Sequence, residues 1–265
     1  PDNSLDLAVK IVENDSHLII IDLSRNFGHH KAMMTGLAHA KGALVFLIDS
    51  DLEEEPEWLV NFYKIMKEQN CDVVYGVQRS RKGGWFEKIS GLAFYKIFRL
   101  ITRVNQPNNI ITARLMNSRY KMALIAHNER EVNIGGLWII TGFEQIGHFV
   151  KKHSSSPTSY SFLRKISHFI NAITSFSNTP LVFIFYFGLV ISFFSSLYIL
   201  ILLFQYLFIA TPPEGYASII ASIWLLSGLI ILFMGVIGIY LSKVFMEVKQ
   251  RPYTIIKEIY KKKFS

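Results

Sequence analysis

Apolar and polar positions fall into alternating blocks along the first part of the chain. Ser4–Asn14 carries Leu5, Leu7, Ala8, Ile11 and Val12 at helical spacing, and His17–Ile21 is an apolar run that ends at Asp22. The period changes from that of a helix to that of a buried strand between them. After the polar loop Ser24–Gly28, His29–Ala40 reads as a helix with Met33, Met34 and Leu37 turned inward, closed by Lys41-Gly42. Leu44–Ile48 is an apolar run with β-branched and aromatic members, which predicts a buried strand. Pro56–Gln69 is amphipathic, with Trp58, Leu59, Phe62, Ile65 and Met66 on one side, and Asp72–Gly76 is the next strand. Strands alternating with helices predict a parallel sheet covered on both faces, an α/β domain. Beyond it lie a basic loop (Val77–Gly84), an aromatic helical stretch (Trp85–Arg103) and a polar break (Asn105–Thr112). A helix over Arg114–His127 and a mixed segment over Val132–Val150, punctuated by Gly135, Gly136 and Gly142, are predicted next.

The pattern then becomes that of a membrane. In Tyr160–Thr179, Phe162, Leu163, Ile166, Phe169, Ile170, Ile173 and Phe176 share one helical face, and Arg164, Lys165 and His168 fall off it. A core helix shows the same stripe, but this one immediately precedes the most apolar part of the chain, which favours a helix lying in the membrane interface. Pro180–Ala210 and Ile219–Ser242 contain no charged residue. Each exceeds the ~20 apolar residues needed to cross a bilayer. Thr211–Gly215 joins them, so a two-helix transmembrane hairpin is predicted. The chain thus divides into an α/β domain (1–159), an interfacial amphipathic helix (160–179), a hairpin (180–242) and a basic tail (243–265).

Charge sets the orientation. Lys151, Lys152, Arg164 and Lys165 precede the hairpin; Lys243, Lys249, Arg251, Lys257, Lys261, Lys262 and Lys263 follow it, and the connecting loop has no cation. The positive-inside rule places the α/β domain and both termini in the cytoplasm. The net charge of +8 is crowded beside apolar segments, so an anionic membrane surface explains it better than a nucleic acid does. The single cysteine, Cys71, excludes an intramolecular disulfide and a multi-cysteine zinc site. Two spans are too few for a conduction path within one chain.

The candidate chemistry sits at the end of the Leu44–Ile48 strand, in Asp49-Ser50-Asp51. Open α/β sheets bind ligands at the carboxyl ends of their strands. Two carboxylates there offer hard oxygen ligands to a divalent cation and, through it, to a diphosphate. An acidic, helix-capping turn is the competing reading, because Glu53, Glu54 and Glu55 follow and Pro56 opens a helix. Arg79 and Arg81 in the basic loop are candidates for phosphate contacts, with a solvated loop as the alternative.

Several stretches in order resemble one family. They are Ser24-Arg25-Asn26-Phe27-Gly28-His29-His30-Lys31-Ala32, Asp49-Ser50-Asp51-Leu52-Glu53-Glu54-Glu55-Pro56-Glu57, and Tyr75-Gly76-Val77-Gln78-Arg79-Ser80-Arg81. Arg114-Leu115-Met116, Gly142-Phe143-Glu144-Gln145 and Thr174–Leu181 continue the series. The chain resembles the family 2 glycosyltransferases of the polyprenyl-phosphate type, such as dolichol-phosphate mannose synthases and undecaprenyl-phosphate glycosyltransferases. The resemblance implies a GT-A (Rossmann-like) domain and Mg²⁺ or Mn²⁺ held by Asp49 and Asp51 with Glu53, which stands where the family usually has Gln. It implies donor contacts from Asp2, Arg25, Asn26 and Asp49 and from Gln145, and catalytic roles around Asp51, Arg79, Arg81 and Thr112. The acceptor phosphate is expected at Arg114, Lys151, Lys152, His153 and Tyr160.

Two departures accompany the resemblance. Thr112 stands where the family often has an Asp, and His153 and Ser159 replace the Arg and Lys of a family loop. Pro1-Asp2-Asn3-Ser4 resembles the tail of the family's Asp-Gly-Ser-x-Asp-x-Ser motif, so the expectation is a domain lacking its first strands, with weak affinity for a nucleotide sugar on its own. The implied activity is inverting transfer of a sugar from a nucleotide diphosphate to a polyprenyl phosphate at the bacterial inner membrane. A catalytically inactive membrane scaffold of the same fold is the alternative, and whether the chain forms a homo-oligomer stays open.

Overall fold

The computed structural model of the chain describes residues 3–78, 109–130, 132–151, 173–175, 177–208 and 215–262, together with positions 167 and 170. Three helices and two strands fall where the apolar periodicity puts them: α1 (Ser4–Asn14), β1 (Ile19–Leu23), α2 (His29–His39), β2 (Leu44–Leu47) and α3 (Trp58–Gln69). Asn70 ends α3 in the left-handed conformation (φ 50°), one of the few non-glycine residues that tolerates it. The chain then forms β3 (Val73–Gln78), β4 (Ile110–Asn117), α4 (Ser118–Ala126), α5 (Ile134–Ile140) and β5 (Gln145–Val150).

The sheet that carries the core has the order β2-β4-β3-β5. β4 runs antiparallel to both β2 and β3, and β3 and β5 are parallel. The sheet is therefore mixed, and the expectation of a purely parallel sheet is corrected. Both faces are covered, as expected. α3 packs Trp58, Phe62 and Met66 onto Val74, Ile111, Ala113 and Leu115. On the other face Met34 and Leu37 of α2, Tyr120 and Leu124 of α4, and Leu137 and Trp138 of α5 close over Val73 and Met116.

β4 corrects a second expectation. Arg114, Leu115 and Met116 lie in a strand, and the helix starts only at Ser118. Asn117 marks the switch: its side chain accepts a hydrogen bond from the Tyr120 N–H at 2.8 Å, capping α4.

The basic tail adds a strand for which the sequence set no expectation. Part of it is β6 (Ile256–Lys261), which pairs antiparallel with β1 in a separate two-stranded sheet. Lys257 Nζ lies 3.4 Å from Asp22 Oδ2, and the Ser24 N–H donates to the Ile255 carbonyl at 2.9 Å. Two long apolar helices, α6 (Thr179–Phe208) and α7 (Tyr216–Val248), separate β5 from β6. They touch at Phe187 and Phe233, whose rings meet edge to face at 6.0 Å. Just ahead of α6, Tyr240 donates to the Ser177 carbonyl at 2.6 Å and Lys243 to Ser175 Oγ at 2.8 Å. Among the described residues, Leu226–Val248 is long and apolar enough to cross a membrane by length and composition, and Thr179–Ile191 is a shorter apolar stretch. The expected loop segment past Gln78, the helix over 85–103 and most of the expected interfacial helix lie outside the described residues.

Candidate active site

β2 stops at Leu47, and the chain turns at Asp49, whose side chain is 18% exposed. What holds the turn is Glu54, only 3% exposed although it stands in a run of three glutamates. One Glu54 oxygen accepts the Asp49 N–H at 3.2 Å and the other accepts the Thr112 N–H at 3.1 Å. The buried carboxylate thus staples the end of β2 to β4. Asp51 closes the next turn, its Oδ1 accepting the Glu53 N–H at 3.0 Å. Between them Leu52 adopts a left-handed conformation (φ 61°) with its side chain 88% exposed. A leucine in that conformation costs about 1 kcal/mol or more, so the surrounding bonds define this turn more strongly than the local preference opposes it.

α2 supplies a neighbour. Gly28 precedes its first turn at φ 92°, a conformation for which glycine is suited, and its N–H is held by the Asn26 side chain at 2.8 Å. His29 follows, and its Nε2 lies 2.7 Å from Asp49 Oδ1. An ionised carboxylate only accepts, so the Nε2 proton is donated to Asp49. Asn26 therefore shapes the entry to α2, and Arg25 stacks over Phe27 at 4.5 Å.

The remaining expected residues divide clearly. Arg114 is 1% exposed and lies in the core, not at a surface where a lipid phosphate arrives. Its guanidinium carbon sits 3.1 Å from the centre of the Trp138 ring, and its Nε donates to the Thr112 carbonyl at 3.4 Å. Burial pushes its pKa down to about 9, so it remains a cation at neutral pH. Burial also pushes the Tyr120 hydroxyl up to about 12, and that hydroxyl donates to the Trp138 carbonyl at 2.8 Å. Gln145 pairs opposite Val73, away from the Thr112 end of the sheet. Its amide donates to the carbonyls of Trp138 and Gly142 at 2.6 and 2.7 Å, which fixes the turn into β5. Lys151 follows the end of β5, at the same end of the sheet as Thr112, and is exposed. Asp2, Arg79, Arg81, Lys152, His153 and Tyr160 lie outside the described residues.

Asp49, Asp51 and Glu53 thus lie along one turn, which Glu54 ties to the Thr112 backbone, and His29 and Glu54 are additions to which the sequence reading assigned no role. The sequence offered a faint signal for Glu54 only in its place within the quoted acidic stretch. His29 and Trp138 gave none, because their partners lie in other elements. Among the described residues no group of three or more metal-ligating side chains converges. A two-carboxylate donor set suits a Mg²⁺ ion that takes its other ligands from water and substrate phosphates.

Residues 1–129 match the Glycosyl transferase family 2. The chain is 48% identical over 260 residues to a protein named among putative glycosyltransferases of Mycobacterium tuberculosis (strain CDC 1551 / Oshkosh), a match covering 98% of this chain and 76% of that one. This chain belongs to glycosyltransferase family 2. Its mixed α/β sheet is GT-A-like, and the Asp49–Asp51 turn lies at the end of β2. The glycosyltransferase is also 31% identical to a protein named uncharacterized glycosyltransferase YkcC of Bacillus subtilis (strain 168), over 98% of this chain and 82% of that one. It is 27% identical to a prophage-derived bactoprenol glucosyl transferase of Shigella flexneri, over 97% of this chain and 85% of that one.

Proposed function

We propose that this glycosyltransferase moves a sugar from a nucleotide diphosphate to a polyprenyl phosphate, with inversion, at the cytoplasmic face of a bacterial plasma membrane. The observation that carries the reading is the junction of two features in one chain. A carboxylate pair stands on a stapled turn at a strand end, and the same chain continues into the apolar helix Leu226–Val248. The likeness to a bactoprenol glucosyl transferase over nearly the whole chain supports a lipid acceptor.

The chemistry suits the residues present. A phosphate-monoester oxygen of the acceptor forms the new bond to the anomeric carbon. The bond from that carbon to the nucleotide diphosphate breaks, and the diphosphate departs with the electron pair. A lipid monophosphate has a second pKa near ~6 and is largely ionised at neutral pH, so it needs no strong general base. Thr112 in place of an acid is therefore compatible with transfer. What the site must supply is placement and charge compensation. Asp49 and Asp51, with Glu53 beside them, would hold Mg²⁺ or Mn²⁺, which supplies Lewis-acid neutralisation of the diphosphate when bound. Glu54 and His29 position Asp49. Asp2, Arg25 and Asn26 are assigned to the donor side and Arg79 and Arg81 to the phosphates. Lys151, Lys152, His153 and Tyr160 are assigned to the acceptor. The interfacial helix over 160–179 and the hairpin formed by α6 and α7 would keep the acceptor head group near Asp51.

The test is transfer of radiolabel from nucleotide sugars to extracted membrane lipid by the full chain with Mg²⁺. Labelled lipid is expected from the native protein, and Asp51→Ala should lower the yield by a factor of about 100 or more. Undiminished turnover in that variant would remove Asp51 from the site.

A further inference from the structure

We infer that the junction of α2, α7 and the tail holds a second anion site, one that takes a phosphate-bearing head group and is separate from the Asp49–Asp51 turn. A cavity of about 440 Å³ opens there, lined chiefly by Thr35 and His39 of α2, Arg130, and Gln250, Tyr253 and Thr254 of the tail. Thr35 and His39 lie in the C-terminal half of α2, whereas His29, at its first residue, reaches Asp49. A rise of about 1.5 Å per residue separates His39 from His29 by roughly 15 Å along the helix. The volume lies in the range of small-ligand sites, about 300–1,000 Å³, and exceeds what a bare phosphate fills.

The wall is built by bonds that leave its ligand-directed groups available. Thr35 Oγ1 donates to the Lys31 carbonyl at 2.8 Å, so in its 2.8 Å contact with Thr254 Oγ1 the proton comes from Thr254. His39 Nδ1–H donates to the Thr35 carbonyl at 2.8 Å, so Nε2 of the neutral ring is an acceptor and His39 stays out of the donor set. Arg130 is anchored through its backbone, its N–H donating to Glu247 Oε1 at 2.8 Å. Arg130 is half-buried and lines the cavity, and among the described residues no hydrogen bond or ion pair holds its guanidinium. Two carboxylates lie close by among the described residues: Glu247 accepts the Arg130 N–H, and Glu129 precedes Arg130 with its carboxyl held above the usual range by burial and by the charge of Glu247.

Arg130, Tyr253 and Gln250 bring a guanidinium, a hydroxyl and a carboxamide to one lining, and these are donors for phosphate oxygens, which a guanidinium binds as a fork. Lys249 and Arg251 are exposed sequence neighbours of Gln250 in the lining, with Lys249 Nζ 4.0 Å from the centre of the Phe245 ring, and their charge adds attraction for an anion. The cavity opens next to the C-terminal end of α7, whose apolar stretch ends at Val248. The same phosphate chemistry is offered by the head group of an anionic phospholipid and by free phosphate. The lipid source rests on the proposed membrane crossing of α7, and the site itself does not.

The experiment uses the full chain in detergent, in two arms. In one, the protein is exchanged into nanodiscs of phosphatidylcholine with or without phosphatidylglycerol, and retained lipid is counted by native mass spectrometry. In the other, inorganic phosphate is titrated calorimetrically. Retention of phosphatidylglycerol over phosphatidylcholine identifies a lipid head group; phosphate binding without that preference identifies free phosphate. In either case Arg130→Gln should weaken binding about tenfold, as expected for loss of a charge-assisted hydrogen bond. Tyr253→Phe, which keeps the wall, should weaken it about threefold and carries the test should Arg130→Gln fail to fold. Lys249→Gln should cost less than Arg130→Gln, and Asp51→Ala should change nothing. Equal binding by native protein and Arg130→Gln overturns the site. So does an equal loss in Lys249→Gln, which is the mark of diffuse surface charge, or loss in Asp51→Ala, which would merge it with the transfer site.

Discussion

Glu54 shows how little a charge run says about each of its members. Three adjacent glutamates look equivalent along the chain, yet Glu54 is buried, with one oxygen receiving a backbone N–H from the turn after β2 and the other one from β4. Replacing it by glutamine keeps the shape but turns one acceptor into an NH₂ facing an N–H donor. Glu54→Gln is therefore expected to lower stability by about 1–3 kcal/mol, read by urea unfolding. It should also lower transfer about tenfold by loosening Asp49, with little change in donor KM. Full activity at unchanged stability would mean that the turn holds its shape without the staple. Arg114 teaches the reverse lesson. A cation in a motif invites a phosphate, but this one packs on Trp138 in the core. Neither burial can be read locally, because each depends on which strand lies alongside.

At the scale of elements, legibility followed the number of faces an element exposes. α1 and α3 were legible because each repeats its apolar positions at one period beside polar ones, and β2 because its unbroken apolar run is bounded by Lys41-Gly42 and Asp49. β4 was not. It lies between β2 and β3 with helices over both faces, so Ile110–Asn117 shows no alternation and its short apolar run is equally compatible with a helix. β6 was hidden differently. Ile256–Lys261 is charged and lies far along the chain from its partner, and pairing across such a separation leaves no local mark. The pairing makes a prediction at this scale. A chain ending at Gln250 loses β6 together with the Thr254 contact to Thr35 and the Lys257 contact to Asp22. Its melting temperature should fall by several degrees. Hydrogen exchange should show β1 amides losing protection while β3 and β4 keep theirs, since local opening follows local bonding. Unchanged protection of β1 would show that β6 adds nothing to its stability.

For the whole molecule the same pairing constrains the membrane arrangement. β1 lies in the α/β domain ahead of α6, and β6 lies beyond α7, yet they form one sheet. If α7 alone crossed a bilayer, β6 would emerge on the side opposite β1 and the pairing would break. Pairing within one chain therefore demands an even number of crossings between them, none or two, a condition that the proposed hairpin of α6 and α7 meets and a single span through Leu226–Val248 does not. Cys71 makes the matter accessible to labelling: it is the chain's one cysteine and is buried, 6% exposed, so a Cys71→Ala background carries no competing thiol. In that background Glu214→Cys marks the connection between the helices and Lys262→Cys marks the end of β6. A membrane-impermeant maleimide added to spheroplasts should label position 214 and leave position 262 unmodified until the membrane is opened. Labelling of position 262 from outside would establish a single crossing and would require β1 and β6 to part in the membrane-bound protein. Labelling of neither position in intact spheroplasts, with both labelled after lysis, would place α6 and α7 wholly on the domain's side. The sheet tolerates that outcome, but the hairpin does not.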